Sequence, residues 1–319
     1  GTGKSTTAME IVGYFLRTGK AKKILITSPS NTVACHLREK CEKFGVEVCQ
    51  LTAFLHADLI KSPNTMAGKI DKHIRDYPLS AVAEARKYYN ANRSYPVALQ
   101  KYRTAEDKIK RQILGESKII ICTFFMACDR SLEGMEFDLI VCDEVTQSTE
   151  PDVLGPISYA APHIVLLGDH KQLAPTVINQ IAGENGLSVS LFERLFNKLP
   201  TVQLDVQYRM DPRISAFPVK QFYGGSVRDG RPIRFYDNIE IKVSRLGKDR
   251  NVFFDIEGIE QRFNNSLMNL REAEFVTKVL LHLDKDEVDF ARVGVITPYR
   301  AQRFKIQELL DLLQDGNDE

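Results

Sequence analysis

The chain has 319 residues, 43% of them hydrophobic, and a formal net charge of +1 at pH 7. This balance gives no general attraction to nucleic acid or membranes, so a polyanion site would need local patterning of charge. No stretch approaches the roughly 18 apolar residues of a membrane span, and the six cysteines form no C-x-x-C pair, which argues against a zinc ribbon. A soluble protein of about two domains fits these numbers.

The first predicted element is a phosphate-binding loop that leads into a helix. Gly1-Thr2-Gly3-Lys4-Ser5-Thr6 matches the second half of the pattern G-x-x-x-x-G-K-[ST], whose first glycine would lie before residue 1. In a complete loop, backbone N–H groups surround the β-phosphate, the lysine reaches the β- and γ-phosphates, and the hydroxyl holds Mg²⁺. The strand that enters such a loop is normally central in its sheet, so we expect a fragment of a longer protein.

Short apolar runs alternate with helical patterns along the chain, which is typical of a parallel sheet with crossover helices. Polar residues follow each run at once, so they lie at the carboxyl ends of strands, where open α/β sheets bind ligands. A similar run at 293–296 predicts a strand of a second α/β domain. The clearest strands before it are Ile24-Leu25-Ile26, Ile119-Ile120-Ile121-Cys122, Leu139-Ile140-Val141-Cys142 and Ile164-Val165-Leu166-Leu167.

Residues 61–111 interrupt this alternation with several helix-forming stretches and no strong strand. The segment is basic, because it carries twelve Lys or Arg residues against five Asp or Glu residues. Tyrosines interleave with these charges, a combination suited to stacking on bases and contacting phosphates. The alternative is a solvated helical hairpin whose tyrosines pack on one another. The tyrosines concerned are Tyr77, Tyr88, Tyr89, Tyr95 and Tyr102.

Two carboxylates, Asp143 and Glu144, follow the apolar run at 139–142. Carboxylates at the end of a buried strand are costly unless a cation lies nearby. In a phosphate-loop enzyme the first holds Mg²⁺ through water, and the second orients or deprotonates the attacking water. An accidental Asp-Glu pair is the alternative. The amide of Gln172, after the next strand, is placed to contact a γ-phosphate, although a plain polar turn would look the same.

An arginine and a tyrosine are adjacent in Gln207-Tyr208-Arg209-Met210-Asp211-Pro212. Arg209 could stabilise the charge that develops on a transferring phosphoryl group, and Tyr208 could stack on a purine ring. Taken alone, the pair would be better explained as a surface arginine and tyrosine with a structural salt bridge.

Seven motifs occur in the order found in superfamily 1 helicases, and together they resemble the type that acts in nonsense-mediated mRNA decay. The resemblance covers nearly the whole chain and implies an α/β fold of two RecA-like domains of the P-loop NTPase class, each with a parallel sheet. Residues 1–199 would form the first domain, with the basic helical insertion at about 57–116, and residues 200–319 the second, incomplete at its C-terminus. The motifs are Gly1-Thr2-Gly3-Lys4-Ser5, Ser28-Pro29-Ser30-Asn31, Cys122-Thr123, Asp143-Glu144-Val145-Thr146-Gln147-Ser148-Thr149-Glu150-Pro151, Gly168-Asp169-His170-Lys171-Gln172-Leu173, Gln207-Tyr208-Arg209-Met210 and Ile296-Thr297-Pro298-Tyr299-Arg300-Ala301-Gln302.

The resemblance implies an ATP hydrolase that uses Mg²⁺, and it assigns the roles within the ATP site. Asp143 would hold the metal together with Ser5, Glu144 would act on the water, and Gln172 and Arg209 would contact the γ-phosphate. Tyr208 would stack on adenine and Glu272 would bind the ribose. The phosphates would be bound by Gly1, Thr2, Gly3, Lys4, Ser5 and Thr6.

The implied partner is single-stranded RNA, with DNA as the alternative, along which the enzyme would move 5′ to 3′. Regulatory proteins would bind through regions outside this chain, in the cytoplasm or, alternatively, the nucleus, and no membrane is involved. The residues implied to line the nucleic-acid track are Ser28, Pro29, Ser30, Asn31, Thr123, Pro298 and Tyr299.

One departure from the family pattern is Asp211, where a histidine is usual. Because the chain is expected to be truncated at both ends, we also expect it to be poorly active by itself. Two alternatives stay open: a senataxin-like or DNA-directed helicase, and an ATP-gated RNA clamp or assembly factor that unwinds little.

Overall fold

The computed structural model describes residues 1–53, 62–230, 252–285 and 288–315. The chain divides into two compact units, Gly1–Asp205 and Val206–Glu319. No helix within the described ranges is both long and apolar enough to cross a membrane.

The first unit is built on a parallel sheet of five strands in the order β2-β3-β1-β4-β5. In β1, β3 and β4 every residue is buried, which explains why these strands read as continuous apolar runs without alternation. The four predicted strands are confirmed, the last shifted by one residue. The strands are β1 Ile24–Ser28, β2 Val48–Gln50, β3 Ile119–Thr123, β4 Leu139–Cys142 and β5 His163–Leu166.

Two apolar cores lie on opposite faces of this sheet, because successive side chains of a strand point to opposite faces. Ile24 and Ile26 of β1 belong to one core, which also contains residues of the helices α1 and α2. Leu25 belongs to the other, together with residues of α3, α4 and α5. The helices of the first unit are α1 Lys4–Arg17, α2 Asn31–Lys43, α3 Met66–Asp76, α4 Ala81–Ala91, α5 Pro96–Glu116, α6 Glu150–Ile157, α7 Gln180–Ala182 and α8 Leu191–Leu195.

Three helices, α3, α4 and α5, lie between β2 and β3 in the chain, within the range where the sequence predicts a helical insertion. It is part of the core of the unit, since Met66, Ile70 and Ile109 are almost completely buried. Residues 57–61 of the predicted insertion lie outside the described residues. The apolar residues of the three helices therefore join the core on one face of the sheet, and α4 packs mainly against α5.

Four of the six cysteines are buried, and Cys128 is exposed. Burial raises the pKa of Cys49 to about 11 and that of Cys142 to about 12. These two thiols thus stay protonated at neutral pH and act as small apolar side chains.

The second unit has two separate strand pairs in its described residues. The first pair is parallel and the second is an antiparallel hairpin. Helix α11 lies against the hairpin, where Gln302 accepts the backbone N–H of Asn269 at 2.7 Å and donates to its carbonyl at 3.2 Å. The elements are β6 Val206–Gln207, α9 Pro212–Tyr223, β7 Arg228–Asp229, β8 Glu260–Phe263, β9 Ser266–Asn269, α10 Leu270–Lys285 and α11 Arg300–Asp315.

The strand predicted at 293–296 is wrong. These residues follow the short 3₁₀ turn Phe290–Arg292 without regular secondary structure, and Ile296 is 97% exposed. An apolar run becomes a strand only when a neighbouring strand pairs with it. The described part of the second unit places no such partner beside 293–296.

Candidate nucleotide site and nucleic-acid edge

The predicted phosphate-binding loop ends at the N-terminus of α1. Gly3 has φ +87°, a left-handed conformation that glycine adopts at little cost. Within the described residues, no side chain caps α1 and its first turn holds no acidic residue. The first N–H groups of a helix lack intrahelical partners and favour negative charge. The N-terminus of α1 is thus suited to a phosphate.

The carboxyl end of β4 brings both predicted carboxylates to this loop. Ser5 Oγ donates to Asp143 Oδ2 at 3.2 Å, and Lys4 Nζ lies 3.5 Å from Glu144 Oε1. The parallel pairing of β4 with β1 positions these carboxylates beside the loop, because Asp143 N–H donates to the carbonyl of Thr27 at the end of β1. The structure therefore joins four predicted residues that are about 140 positions apart in the sequence.

Asp143 is 1% exposed, and burial followed by the neighbouring charge of Glu144 raises the pKa of its carboxyl group. The backbone N–H of Glu144 donates to Asp143 Oδ1 at 3.0 Å. A bound cation would stabilise the ionised form of this buried carboxylate. The carboxylate oxygen of Asp143 and the hydroxyl oxygen of Ser5 are both hard oxygen ligands, which Mg²⁺ prefers. Among the described residues, no group of three or more His, Cys, Asp or Glu side chains is arranged to hold a metal ion, so the remaining ligands here would have to come from phosphate and water.

Both carboxylate oxygens of Glu144 are held. Lys4 lies at Oε1, and Gln147 Nε2 donates to Oε2 at 3.2 Å. Glu144 itself has φ +52°, an unusual conformation for this residue that turns the chain into the short 3₁₀ helix Val145–Gln147. Gln147 was not among the predicted site residues, although its spacing of three from Glu144 on a helical turn was a usable signal.

Gln172 lies near the same edge of the sheet but does not contact the carboxylates. Its Nε2 donates to Asp169 Oδ2 at 2.7 Å, and Asp169 N–H donates to Thr146 Oγ1 at 3.5 Å. Gly168 lies directly against Thr146, because a Cβ there would be 2.9 Å from its methyl carbon. The residues after β4 and β5 are thus connected, and Gln172 reaches this network through Asp169.

In the second unit, the motif around Arg209 is organised by Gln207, which is 3% exposed. Its Oε1 accepts the N–H groups of Arg209 and Met210 at 2.9 and 2.8 Å, and its Nε2 donates to Asp229 at 2.6 Å. The chain after β6 is therefore fixed in a turn that leaves Arg209 exposed.

Tyr208 and Glu272, the residues implied to bind the nucleoside, are both exposed. The ring of Tyr208 lies against the backbone of Gly230, where a Cβ would come within 2.5 Å of the ring. Glu272 Oε1 accepts from Asn269 Nδ2 at 3.1 Å, and Asn269 Oδ1 accepts the N–H of Glu272 at 3.3 Å. Both side chains have defined neighbours and a free surface for a ligand.

The first-unit residues implied to line the nucleic-acid track lie at the carboxyl edge of β1 and β3. Ser30 caps α2 by accepting the N–H of Val33 at 3.3 Å, and the Oδ1 atom of Asn31 is buried without a hydrogen-bond partner. Ser28 and Thr123 are buried, and Thr123 Oγ1 accepts the N–H of Met126. Ser28 and Thr123 therefore support the backbone at this edge, whereas Pro29 and Ser30 are accessible to solvent. In the second unit, Pro298 and Tyr299 are exposed just before α11.

The tyrosines of the insertion divide into two groups. Tyr89 and Tyr102 stack on each other with ring centroids 5.7 Å apart, and the Tyr102 hydroxyl accepts from Arg86 and donates to Glu106. Burial raises the pKa of Tyr102 to about 12. The other tyrosines, which face solvent, are Tyr77, Tyr88 and Tyr95. Packing thus explains one pair, and only the exposed group is available for bases.

Comparison with known proteins adds a family to this geometry. Two family models, both described as an AAA domain, match residues 82–180 and 187–318. Over 95% of its length the chain is 31% identical to the regulator of nonsense transcripts 1 homolog of Neurospora crassa, and over 98% it is 33% identical to the ATP-dependent helicase NAM7 of Saccharomyces cerevisiae. It covers 28% and 32% of these two relatives, and 26% of the regulator of nonsense transcripts 1 homolog of Drosophila melanogaster, to which it is 33% identical.

Proposed function

Because the chain belongs to the superfamily 1 helicases of the regulator of nonsense transcripts type, we propose that it is the ATP-hydrolysing core of an RNA helicase that acts in mRNA surveillance. The observation that carries this proposal is the meeting of Lys4 and Ser5 with Asp143 and Glu144 at one sheet edge. An anion site at a helix N-terminus and two carboxylates at the end of the adjoining strand are what phosphoryl transfer to water requires.

In the proposed site, Lys4 leaves Glu144 and binds the β- and γ-phosphates of ATP, as the lysine of a phosphate-binding loop does. Glu144 then has its Oε1 free to orient the attacking water and accept its proton. The N–H groups of Gly1, Thr2, Gly3 and Thr6 hold the phosphates, which fixes the γ-phosphate in line with the water.

Mg²⁺ would be held by Ser5 Oγ and Asp143 and completed by phosphate oxygens and water, an arrangement that this ion favours. When bound, it neutralises charge on the β- and γ-phosphates. The hydrogen bond of 3.2 Å between Ser5 and Asp143 supports this assignment, because it places the two oxygen ligands side by side.

Four further residues complete the proposed nucleotide contacts. Gln172 and Arg209 contact the γ-phosphate, and Arg209 stabilises the charge that grows on it during transfer. Tyr208 stacks on adenine and Glu272 binds the ribose hydroxyls. The exposure of Arg209, Tyr208 and Glu272 supports these roles, since each side chain is accessible to a ligand.

The proposed polymer partner is single-stranded RNA, bound along the carboxyl edge of β1 and β3 and by Pro298 and Tyr299. Ser28 and Thr123 hold that edge in shape, while Pro29, Ser30 and Asn31 face the strand. The exposed tyrosines and basic residues of the insertion add stacking and phosphate contacts. We place the protein in the cytoplasm, translocating 5′ to 3′ and regulated by proteins that bind other parts of the polypeptide.

The test is ATP hydrolysis by the full-length protein with and without a single-stranded RNA. Lys4→Ala and Glu144→Gln should each lower the RNA-stimulated rate by at least about 100-fold, because each removes a group that acts on the phosphates or the water. Lys20→Ala and Glu10→Gln, on exposed side chains of the same region, are the matched controls and should leave the rate unchanged.

Hydrolysis that survives both Lys4→Ala and Glu144→Gln would disprove the assignment of the site. Stimulation by DNA but not RNA would point to the DNA-directed alternative. RNA release on ATP binding without strand separation would point to a clamp.

A further inference from the structure

One aromatic side chain at the carboxyl edge of the first-unit sheet, Phe125, lies outside both apolar cores of that unit. Phe125 is 80% exposed, whereas its neighbour Phe124 is 2% exposed and belongs to the core. Phe125 begins the 3₁₀ turn Phe125–Cys128, directly after β3. A single exposed apolar side chain is common on protein surfaces, so a functional role for Phe125 has to be argued from the residues around it.

The turn that carries Phe125 is anchored on both sides of it. Phe124 N–H donates to the carbonyl of Ser28 at 2.9 Å, and Met126 N–H donates to Thr123 Oγ1 at 3.2 Å. Ala127 is completely buried, and its carbonyl accepts the hydroxyl of Tyr159 at 2.7 Å. With the residues before and after it fixed, Phe125 is held outward by the backbone, and its exposure is a property of the fold.

The same anchor fixes which residues surround the ring. The hydrogen bond between Phe124 and Ser28 joins the ends of β3 and β1, and consecutive Cα atoms are about 3.8 Å apart. Phe125 therefore lies within a few residues' reach of Pro29 and Ser30, the accessible residues proposed above to face a nucleic-acid strand. A rigid aromatic ring beside such an edge is the surface on which a base stacks, whatever its sequence.

We propose that Phe125 is a base-stacking residue for single-stranded nucleic acid bound at the carboxyl edge of β1 and β3. This inference rests on the proposed function, because it assumes that a strand follows this edge. The ring provides a contact that does not depend on charge, so it adds affinity without adding to the salt dependence that phosphate contacts cause.

The chain contains no tryptophan, so Phe125→Trp makes the ring at this position visible as the only tryptophan of these 319 residues. Binding is measured by anisotropy of a labelled oligouridylate, and stacking by quenching of the tryptophan emission. We expect quenching that saturates with the anisotropy signal. An oligomer with the same number of phosphates and an abasic site at each position should bind more weakly and quench little.

Phe125→Ala should weaken binding of the oligouridylate about tenfold, the effect typical of removing one stacking contact, and should leave the slope of log Kd against log salt unchanged. The matched control is Phe44, which is 55% exposed at the end of α2, before β2, at the opposite edge of the sheet. Phe44→Ala should not alter affinity, and Phe44→Trp should not be quenched.

The two proposals fail differently. If the wild-type protein does not bind single-stranded nucleic acid, the proposed function fails and the stacking role with it. If the wild type binds, but Phe125→Ala keeps its affinity or the tryptophan is not quenched, the stacking role alone is overturned.

Discussion

Arg194 holds both carboxylate oxygens of Glu150, with its Nε and Nη2 atoms 2.6 and 2.7 Å from them. This hydrogen bonding lowers the pKa of Glu150 and raises that of Arg194. The pair connects the start of α6, which follows the Asp143–Glu144 turn, to α8, which follows the loop containing Gln172. The ion pair thus joins the segment after Glu144 to the segment after Gln172, away from the proposed catalytic side chains themselves.

We predict that Arg194→Ala changes the thermal unfolding temperature little, by no more than about 2 °C, because Arg194 is exposed, Glu150 is partly exposed, and solvent screens such pairs. Differential scanning fluorimetry measures this shift. Arg17→Ala, which removes an exposed pair with one longer contact of 3.8 Å to Glu10, is the control. A loss of more than about 5 °C would mean that the pair stabilises the fold well beyond what exposed pairs do.

Gln147 is predicted to position Glu144. Gln147→Met keeps the length of the side chain and removes the N–H that reaches Glu144 Oε2, so the ATPase kcat should fall about tenfold while the KM for ATP stays constant. Steady-state ATPase assays at saturating RNA measure both constants. Gln180→Met removes a similar amide contact to Glu184 on the surface and should change neither.

A double-mutant cycle separates positioning from a general structural effect of Gln147→Met. In a Glu144→Asp background the shortened carboxylate no longer reaches Gln147, so Gln147→Met should cost little there. Equal losses in both backgrounds would show that Gln147 does not act through Glu144.

Asp211, where the family usually has histidine, is predicted to stabilise α9. Its Oδ1 accepts the N–H of Arg213 at 2.9 Å, which makes it the N-cap of that helix, and it also pairs with the Arg213 side chain. Asp211→Ala should lower the free energy of unfolding by about 1 kcal/mol, and Asp211→Ser by less, because serine also caps helices. Urea denaturation measures both.

Asp211→His tests the departure from the family directly. Histidine is not among the preferred capping residues, so this variant should lose stability as Asp211→Ala does. ATPase activity should persist, since Gln207 holds the N–H groups of Arg209 and Met210 independently of residue 211. Loss of activity without loss of stability would contradict a capping role.

Asp138 gives the fold a pH dependence. Its Oδ2 accepts the backbone N–H groups of Lys22 and Lys23 at 2.7 and 3.0 Å. These hydrogen bonds, of which the one from Lys23 has the larger effect, hold the pKa of Asp138 below the ordinary 3.8. A pKa that is lower in the folded state contributes stability above the unfolded value and loses it as the pH falls through the folded value. The contribution is therefore complete at pH 7 and disappears below pH 3.8.

Asp138→Asn should lower the free energy of unfolding at pH 7 by about 1 kcal/mol, near the low end for bonds to a charged group, because solvent screens this site. Urea titrations at pH 7 and at successively lower values should show the difference from the wild type shrinking below pH 3.8. The control, Asp107→Asn on an exposed helical face, should show no such trend. A difference that is constant with pH would exclude the ionised carboxylate as its source.

Much of this protein could be predicted from local sequence. The buried strands β1, β3 and β4 have uninterrupted apolar runs, because a parallel sheet covered on both faces requires them. The order of the motifs predicted that Lys4, Asp143 and Glu144 belong to one site, and the structure brings Lys4 to Glu144 and Ser5 to Asp143. The helical insertion was predictable from composition, because residues 61–111 combine helix-forming stretches with many charged residues.

Only the tertiary structure decided which side chains contact each other and which apolar runs pair as strands of a sheet. The strand predicted at 293–296 is not formed, since pairing depends on a neighbour that a local pattern cannot provide. Gln147 gained its contact with Glu144 only through the left-handed turn after β4, and Phe125 was distinguished from Phe124 only by burial. The sequence determined the elements and the chemical groups, and the three-dimensional arrangement determined their partners, because contacts between distant residues depend on the packing of the whole unit.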